Sequence, residues 1–409
     1  MSNPQAAALS LLTAAAVRER THEILQAGLN GALEHFAVDP DRLPAVADFV
    51  AGVIRDKYPD LKVPLHARWR HFVHGGEDLW ARIASMRSWP DAAAKARSAF
   101  DLAIVSVLLD AGAGPAWRYR DAITGASAGR SEGLALASLR MFEAGVFSAD
   151  PRDPLRADAA RLMQLSESDL AAGFQASADN ALDGLAGRAD LLVRLGRVVA
   201  ERADVFALAD AARPGGLFDH LAAPGDPVAA PAILYALLLH LGAIWPARLT
   251  LDGVVLGDTW RHPAIRRADV TDGFVPFHKL SQWLAYSLIE PLRDAGLSVS
   301  DVDGLTGLAE YRNGGLFVDL GAIALRDPAQ MQRAHAIDST LVVEWRALTV
   351  ALLDVLAPLV RTMLGVDAAR FPLGCVLEGG TWAAGRKIAQ ALRTDGRPPF
   401  AVVSDGTVF

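Results

Sequence analysis

Three side chains suited to acid–base chemistry stand in a row at the start of residues 310–321, EYRNGGLFVDLG. Glu310 offers a carboxylate, Tyr311 a phenol and Arg312 a guanidinium, which are groups that catalysis and anion binding use. The Asn-Gly-Gly that follows readily accepts positive φ, so it predicts a turn that ends one helix before the next segment. The segment is either an ordinary turn or a place where chemistry occurs.

A second concentration of polar side chains lies in residues 64–76, PLHARWRHFVHGG. Arg68 and Arg70 offer forked donors that fit phosphate or carboxylate, although a solvated basic helix face has the same pattern. Three histidines lie in the same segment: His66, His71 and His74. Because no carboxylate partner is obvious nearby, we predict no metal site here.

Residues 274–292, FVPFHKLSQWLAYSLIEPL, predict a helix with an anion site at its start. Apolar residues recur at helical spacing, and Pro276 suits the first helical turn. Lys279 lies near the positive helix N-terminus, where an anion is stabilised. His278 and Gln282 are four residues apart and so share a face. The alternative is a core helix whose lysine extends to solvent.

Two later segments carry polar or aromatic groups on apolar helices. Glu344 and Arg346 interrupt the helix predicted over 338–350, and ionic groups in such a setting should be paired or exposed. Trp382, in residues 377–389, adds an aromatic ring on another predicted helix. Together the polar segments supply the carboxylates, cations and aromatics that a site for a phosphorylated small molecule needs.

The composition argues against several classes of protein. The chain has 409 residues, 52% of them hydrophobic, and a net charge of -7, which does not favour nucleic-acid binding. The single cysteine, Cys375, excludes an intramolecular disulfide and is consistent with a cytoplasmic protein. The apolar run 228–245 is just long enough to span a bilayer, but it stands alone and is better explained as a buried helix than as a membrane anchor. No dinucleotide, Walker, metalloprotease or nucleophile-elbow motif occurs, so we predict no cofactor.

Helical patterns dominate the rest of the chain. Apolar residues recur at three- and four-residue spacing, and Gly- and Pro-rich breakers separate these windows. The exception is LTLDGVVLGD, residues 249–258, in which Asp252-Gly253 predicts a β-hairpin. The end of the chain, FAVVSDGTVF, is a weaker strand candidate. We therefore predict a mostly α fold in one domain over residues 1–409, with any boundary between two lobes near 148–158.

Four motifs resemble one known family in their order: PLHARWRHF, VPFHKLSQWLAYSLIEPL, LTGLAEYRNGGLFVDLG and LEGGTWAAGRKIA. They are similar, over nearly the whole chain, to the family of the fourth protein of the URC uracil-catabolic pathway of fungi and bacteria. The resemblance implies a role in uracil breakdown through UMP, in which the pyrimidine ring is opened and urea is finally released. It also implies other uracil-catabolic enzymes as partners.

A more distant resemblance is to the queuosine-salvage nucleotide N-glycosidases, helical proteins related in fold to helix-hairpin-helix DNA glycosylases. FHKLSQ is similar to their motif at Phe277, Lys279 and Gln282, and AEYR is similar to a second motif with Glu310 replacing aspartate. EWRALT, residues 344–349, parallels a third motif in the same order. The implied fold is a large helical domain of that type with a small β-hairpin. The glycosylase hairpin sequence is missing, which argues against DNA as substrate.

These resemblances imply hydrolysis of the N-ribosidic bond of a ring-opened UMP product such as ribosylurea 5-phosphate, giving urea and ribose 5-phosphate. Glu310 is expected to be the principal catalytic carboxylate and Asp319 a second candidate. The expected substrate-binding residues are Lys279, Arg312, His278, Gln282, Tyr311, Glu344, Arg346, Trp382, Arg68 and Arg70. Glu344 and Arg346 would orient the pocket as a buried pair. Hydrolysis of an amide or ureido bond in the opened pyrimidine and a non-catalytic scaffold remain alternatives, and a cavity that holds Glu310 and Lys279 together favours catalysis.

Overall fold

Helices make up most of the regular structure in the computed structural model, which describes residues 3–110, 112–114, 116–245 and 248–403. The α-helices are α1 Pro4–Ser10, α2 Ala14–Leu29, α3 Leu43–Lys57, α4 Leu79–Ser85, α5 Ala92–Leu108, α6 Arg130–Glu143, α7 Ala159–Leu162, α8 Glu167–Gly173, α9 Leu185–Glu201, α10 Ala203–Phe206, α11 Leu217–Ala222, α12 Ala230–Leu241, α13 Lys279–Asp294, α14 Tyr311–Asp319, α15 Thr340–Leu364, α16 Leu373–Val376 and α17 Trp382–Leu392. A π-helical turn, Leu377–Thr381, joins α16 to α17. The predicted mostly α fold is confirmed.

The β-strands are short, and each one pairs with a single other strand within the described residues. They are β1 Phe36–Val38, β2 Val73–His74, β3 Glu77–Asp78, β4 Tyr119–Arg120, β5 Ser127–Ala128, β6 Val228–Ala229, β7 Thr250–Leu251, β8 Val254–Val255, β9 Thr259–Arg261, β10 Phe274–Pro276, β11 Val299–Ser300, β12 Ile323–Leu325, β13 Ala334–Ala336 and β14 Ala401–Val403. The pairs are β1–β12, β2–β3, β4–β5, β7–β8 and β9–β10, all antiparallel, and β6–β11 and β13–β14, both parallel.

The predicted hairpin is confirmed, because β7 pairs with β8 across Asp252 and Gly253. Both residues have positive φ, 48° and 78°, as a type I′ turn requires. The weaker strand prediction at the end of the chain is met over Ala401–Val403, and its remainder, residues 404–409, lies outside the described residues.

The long helix α15 runs through the core with α2 and α3 packed against it. The Ser339 side chain accepts a hydrogen bond from the backbone N–H of Val342 and begins the helix, and Gly365, with φ 69°, ends it. The helix is long and apolar enough to cross a membrane by composition, but 61% of its most apolar window is buried inside the protein. That burial matches the core helix of a packed protein.

Helix α13, at whose start an anion site is predicted, lies beside α5 and α12. It begins at Lys279, later than the proline predicted to open it, because Pro276 belongs to strand β10. His278 precedes the helix with a left-handed backbone, φ 49°, which turns the chain from strand to helix. The apolar run 228–245 forms α12 and a following 3₁₀ turn, and most of α12 is buried.

The predicted turn at Asn313-Gly314-Gly315 is wrong, because all three residues lie inside α14. The Glu310 side chain caps this helix directly ahead of them, so the helix begins where the turn was expected. A Cβ on Gly314 would lie 2.7 Å from the Trp345 and Thr349 side chains, so the glycine serves close packing on α15. The left-handed residue that follows the helix is Gly321, with φ 77°.

Buried apolar side chains form one contiguous cluster that extends from Ala8 to Phe400 and includes residues on both sides of the stretch 148–158. We therefore keep the prediction of one domain. What matters for function is that the starts of α6, α13 and α14 and the end of α5 all meet at one cavity.

Candidate active site

A cavity of about 380 Å³, here called the central cavity, lies among these helix ends. Its volume is in the range of pockets that bind small molecules. It is lined by His66, His71, Asp110, residues 112–114, Arg130, Ser131, Lys279, Trp283, Leu308, Glu310, Tyr311, Arg312, Trp382 and residues 396–398. Glu310 and Lys279 share this cavity, which is the arrangement that favours catalysis.

Glu310 is held rigidly at the start of α14. Its carboxylate accepts hydrogen bonds from the backbone N–H groups of Arg312, at 2.9 Å, and Asn313, at 2.6 Å. Burial raises the pKa of the Glu310 carboxyl, while these two N–H groups and the charge of Lys279 oppose the rise. The residue therefore presents a fixed carboxylate to the cavity, and it is also the N-cap of its helix.

Three cations of the cavity wall have no carboxylate oxygen within 4.0 Å in the described part of the chain: Lys279, Arg130 and Arg312. Lys279 is the first residue of α13 and Arg130 the first of α6, so two positive helix ends add to their charge. Burial lowers the pKa of Lys279, and Glu310 opposes the shift. Unneutralised cations around a cavity are suited to an anionic ligand.

Several buried polar atoms of the wall also lack a protein partner among the described residues. They are Nδ1 of His71, Nε1 of Trp283 and Nε of Arg312. Buried polar groups are normally hydrogen-bonded, so polar atoms without a partner at a cavity wall are what a ligand-binding surface presents. Burial and the charge of Arg68 lower the pKa of His71 to about 4, which keeps this imidazole neutral near pH 7.

Arg68 acts on the cavity through Asp110 and does not line it. Its Nη1 donates to Oδ2 of Asp110 at 2.8 Å, and its Nε donates to Ser106 at 2.7 Å. Asp110 follows the end of α5 and does line the cavity. A second carboxylate thus faces the cavity, but it is neutralised by a fully buried arginine.

An adjoining pocket of about 250 Å³, here called the outer chamber, shares His66, His71 and Trp382 with the central cavity. Arg70 lines the outer chamber and pairs with Glu290. The predicted binding residue Arg70 therefore lies next to the central cavity and not in it.

Asp319, His278 and Gln282 are further predicted site residues that lie away from the central cavity. Asp319, at the far end of α14 from Glu310, binds both terminal nitrogens of Arg393, at 2.8 and 2.6 Å. His278 is buried, and its Nε2 meets the carbonyl oxygen of Leu11 at 2.9 Å. Gln282 donates to Thr306 at 2.6 Å. The structure does not bring Asp319 near Glu310 as a second cavity carboxylate.

The expected pair of Glu344 and Arg346 is wrong, although both residues are buried. Side chains two positions apart on a helix point to different faces, so they find different partners. The Glu344 carboxylate accepts backbone N–H groups of residues 34–36 and meets His262 at 3.3 Å. Arg346 instead binds both oxygens of Asp258, at 2.8 and 2.7 Å.

Asp258 links Arg346 to the cavity, because it organises the start of α13. Its Oδ2 accepts the backbone N–H of Lys279 at 3.0 Å, and its backbone oxygen accepts those of Phe277 and His278. Arg346 is therefore a positioning residue that acts through Asp258, and neither residue lines the cavity.

Sequence reasoning found Glu310, Tyr311, Arg312, Lys279 and Trp382 in the cavity wall. It missed other wall residues: Asp110, Arg130, Ser131 and Arg397. Arg130 and Ser131 begin α6, and their position was a weak sequence signal for a binding site, because helix N-termini are natural anion sites. Among the described residues, no group of three His, Cys, Asp or Glu side chains is gathered as a metal site would be.

Fold and site define a mostly α-helical protein with a cation-lined cavity of small-molecule size. The chain belongs to the family described as "Protein of unknown function (DUF1688)", which it matches over residues 10–409. It is 39% identical over 412 residues to Protein urg3 of Schizosaccharomyces pombe, with 98% of each chain covered. It is 36% identical over 433 residues to Uracil catabolism protein 4 of Lachancea kluyveri, covering 96% of this chain and 97% of the relative. The resemblance to the uracil-catabolic family is confirmed, and the one to the N-glycosidases stays a prediction.

Proposed function

We propose that this protein acts in pyrimidine catabolism as an N-glycosidase that releases urea from a ring-opened UMP product such as ribosylurea 5-phosphate. A relative that covers nearly the whole chain is named for uracil catabolism, which supports the pathway. The observation that carries the reaction is that Glu310 and the unneutralised Lys279 share one cavity. The reaction would take place in the cytoplasm, beside other enzymes of uracil breakdown.

The bond to be broken joins C1′ of ribose to a ureido nitrogen. As this bond lengthens, its electron pair moves to the nitrogen and positive charge develops at C1′ and the ring oxygen, as in glycoside hydrolysis. The Glu310 carboxylate, fixed by the two backbone N–H groups, stabilises that charge without having to move. Water then adds to C1′. Its oxygen and one hydrogen become the C1′ hydroxyl of ribose 5-phosphate, and its other proton goes to the ureido nitrogen, so that urea leaves as a neutral molecule.

The 5′-phosphate is proposed to lie against Lys279, Arg130 and Arg312. These cations have no carboxylate of their own within the described residues, so they are free to neutralise a phosphate. Binding energy from this remote group holds C1′ against Glu310 and lowers the barrier at the reacting bond. Trp382 and Tyr311 supply aromatic walls for the ureido group and the sugar.

The test is incubation of the purified protein with ribosylurea 5-phosphate and separate assays of urea, ammonia and ribose 5-phosphate. We expect urea and ribose 5-phosphate in equal amounts. Ammonia in place of urea would indicate hydrolysis of an amide or ureido bond, and no turnover of any opened pyrimidine would indicate a scaffold.

Glu310→Gln needs a matched control because Glu310 also caps a helix. Asp91 caps α5 in the same manner, with its side chain accepting the backbone N–H of Ala94 at 2.6 Å, and it lies outside the cavity. Each change removes a charge but keeps a side-chain oxygen that can accept the capping hydrogen bond, so both helices keep a cap. We expect Asp91→Asn to keep full activity and Glu310→Gln to lose it.

A further inference from the structure

A buried histidine–carboxylate pair forms part of the wall between the central cavity and the outer chamber. Nδ1 of His66 lies 2.8 Å from Oε2 of Glu378, and both side chains are about nine-tenths buried. Glu378 lies in the π-helical turn that joins α16 to α17, and Lys57 approaches its other oxygen at 3.7 Å. The backbone N–H of His66 donates to the carbonyl oxygen of Gly374, which fixes the residue from a second side.

This contact settles the orientation of the imidazole. A carboxylate accepts, so Nδ1 of His66 carries the hydrogen and Nε2 is left for another partner. Within the described residues Nε2 makes no hydrogen bond, and His66 lines the central cavity. The ring lies between Trp283 and Trp382, with centroids at 6.3 and 6.5 Å.

The Glu378 carboxylate is the ionised acceptor in this contact. Burial tends to raise the pKa of Glu378, but the hydrogen bond and charge of His66 bring it below its usual value, so Glu378 stays ionised. His71, the other imidazole of the wall, has its pKa lowered to about 4 and no acceptor on Nδ1 among the described residues. It therefore does not hold a proton near pH 7.

We propose that His66 is the general acid that protonates the leaving ureido group, and that Glu378 is its positioning residue. The inference rests on the proposed N-glycosidase function. In that reaction the leaving ureido group needs a proton, because a ureido anion is too basic to leave unaided. As the C1′–N bond breaks, the proton on Nε2 passes to the ureido nitrogen, which takes the bonding electron pair. Water then adds to C1′ and returns one proton to Nε2, so urea and ribose 5-phosphate leave and His66 is restored.

The test compares two leaving groups on the same phosphorylated ribose. Ribosylurea 5-phosphate needs a proton at its leaving group, whereas 4-nitrophenyl β-D-ribofuranoside 5-phosphate releases a stable anion. We expect His66→Gln to lower kcat/KM for the ureido substrate by about 100- to 10,000-fold and for the nitrophenyl substrate by less than about tenfold. We expect Glu378→Gln, which keeps a hydrogen bond but no charge, to show the same preference with a smaller loss.

His74→Gln is the matched control, because His74 is an exposed histidine of the outer chamber outside the central cavity. It should leave both rates unchanged. An equal loss on both substrates in His66→Gln would assign His66 a structural role and overturn the proposal, as would full activity on the ureido substrate. Failure of the wild-type protein to cleave either substrate would instead reject the proposed function itself.

Discussion

Gly385 places α17 in direct contact with the start of α14, and so it sets the width of the central cavity. A Cβ at this position would lie 2.1 Å from the carbonyl oxygen of Arg312 and 2.8 Å from its carbonyl carbon, whereas ordinary contact begins near 3.4 Å. Backbone atoms cannot rotate away, so in Gly385→Ala the two helices must separate by roughly 1 Å. Glu310 and Arg312 lie on one side of that contact and Trp382 on the other.

We expect Gly385→Ala to lower the free energy of unfolding by about 1–3 kcal/mol, the usual cost of overpacking. A displacement of catalytic groups by about 1 Å can lower the reaction rate by a factor of about 100. We therefore also expect kcat/KM for urea release to fall by about that factor. Guanidinium chloride unfolding and a coupled urea assay measure the two effects.

Gly187→Ala is the control, since Gly187 lies in α9 with no atom within 4 Å of the added Cβ. There the substitution should raise the free energy of unfolding by about 0.4–1 kcal/mol and leave activity unchanged. If Gly385→Ala kept both the free energy of unfolding and the activity of the wild type, this would refute the argument that the contact sets the width of the central cavity.

Three further outcomes follow from the structure. Lys279→Met should weaken ribose 5-phosphate binding by about 10- to 100-fold in calorimetry, because it removes a charged contact worth about 1.5–3 kcal/mol. Asp319→Asn should lower the melting temperature, since it breaks the bidentate pair with Arg393, yet kcat should stay at the wild-type value. Burial raises the pKa of Asp258 but Arg346 outweighs it and holds that pKa at about 2, below the usual 3.8. A depressed carboxyl pKa contributes stability above about pH 4 that is lost as the pH falls toward 2. The stability advantage of wild type over Asp258→Asn in denaturant titrations should therefore shrink by an amount on the order of 2 kcal/mol across this range.

The features that sequence predicted well are those decided by local patterns. Helical spacing of apolar residues predicted the mostly α fold, and Asp252-Gly253 predicted its hairpin because a type I′ turn depends on those two residues alone. Glu310 and Lys279 were placed in one site by motif resemblance, and their shared cavity joins segments far apart in the chain.

The features that sequence missed depend on partners distant in the chain. Asn313-Gly314-Gly315 has turn propensity, but the Glu310 cap and the packing against Trp345 keep it helical. The sequence predicted that Arg346 pairs with Glu344 on its own helix. In the structure Arg346 pairs with Asp258, which follows the β7–β8 hairpin. No local pattern shows which distant carboxylate an arginine will meet.

The most direct test of the central claim is the rate of urea release from ribosylurea 5-phosphate by wild type and by Glu310→Gln, with both proteins shown to be folded by circular dichroism. The account predicts urea and ribose 5-phosphate in a one-to-one ratio from wild type, and at least about a 100-fold lower kcat in the variant. Equal rates in the two proteins, or ammonia without urea, would contradict it.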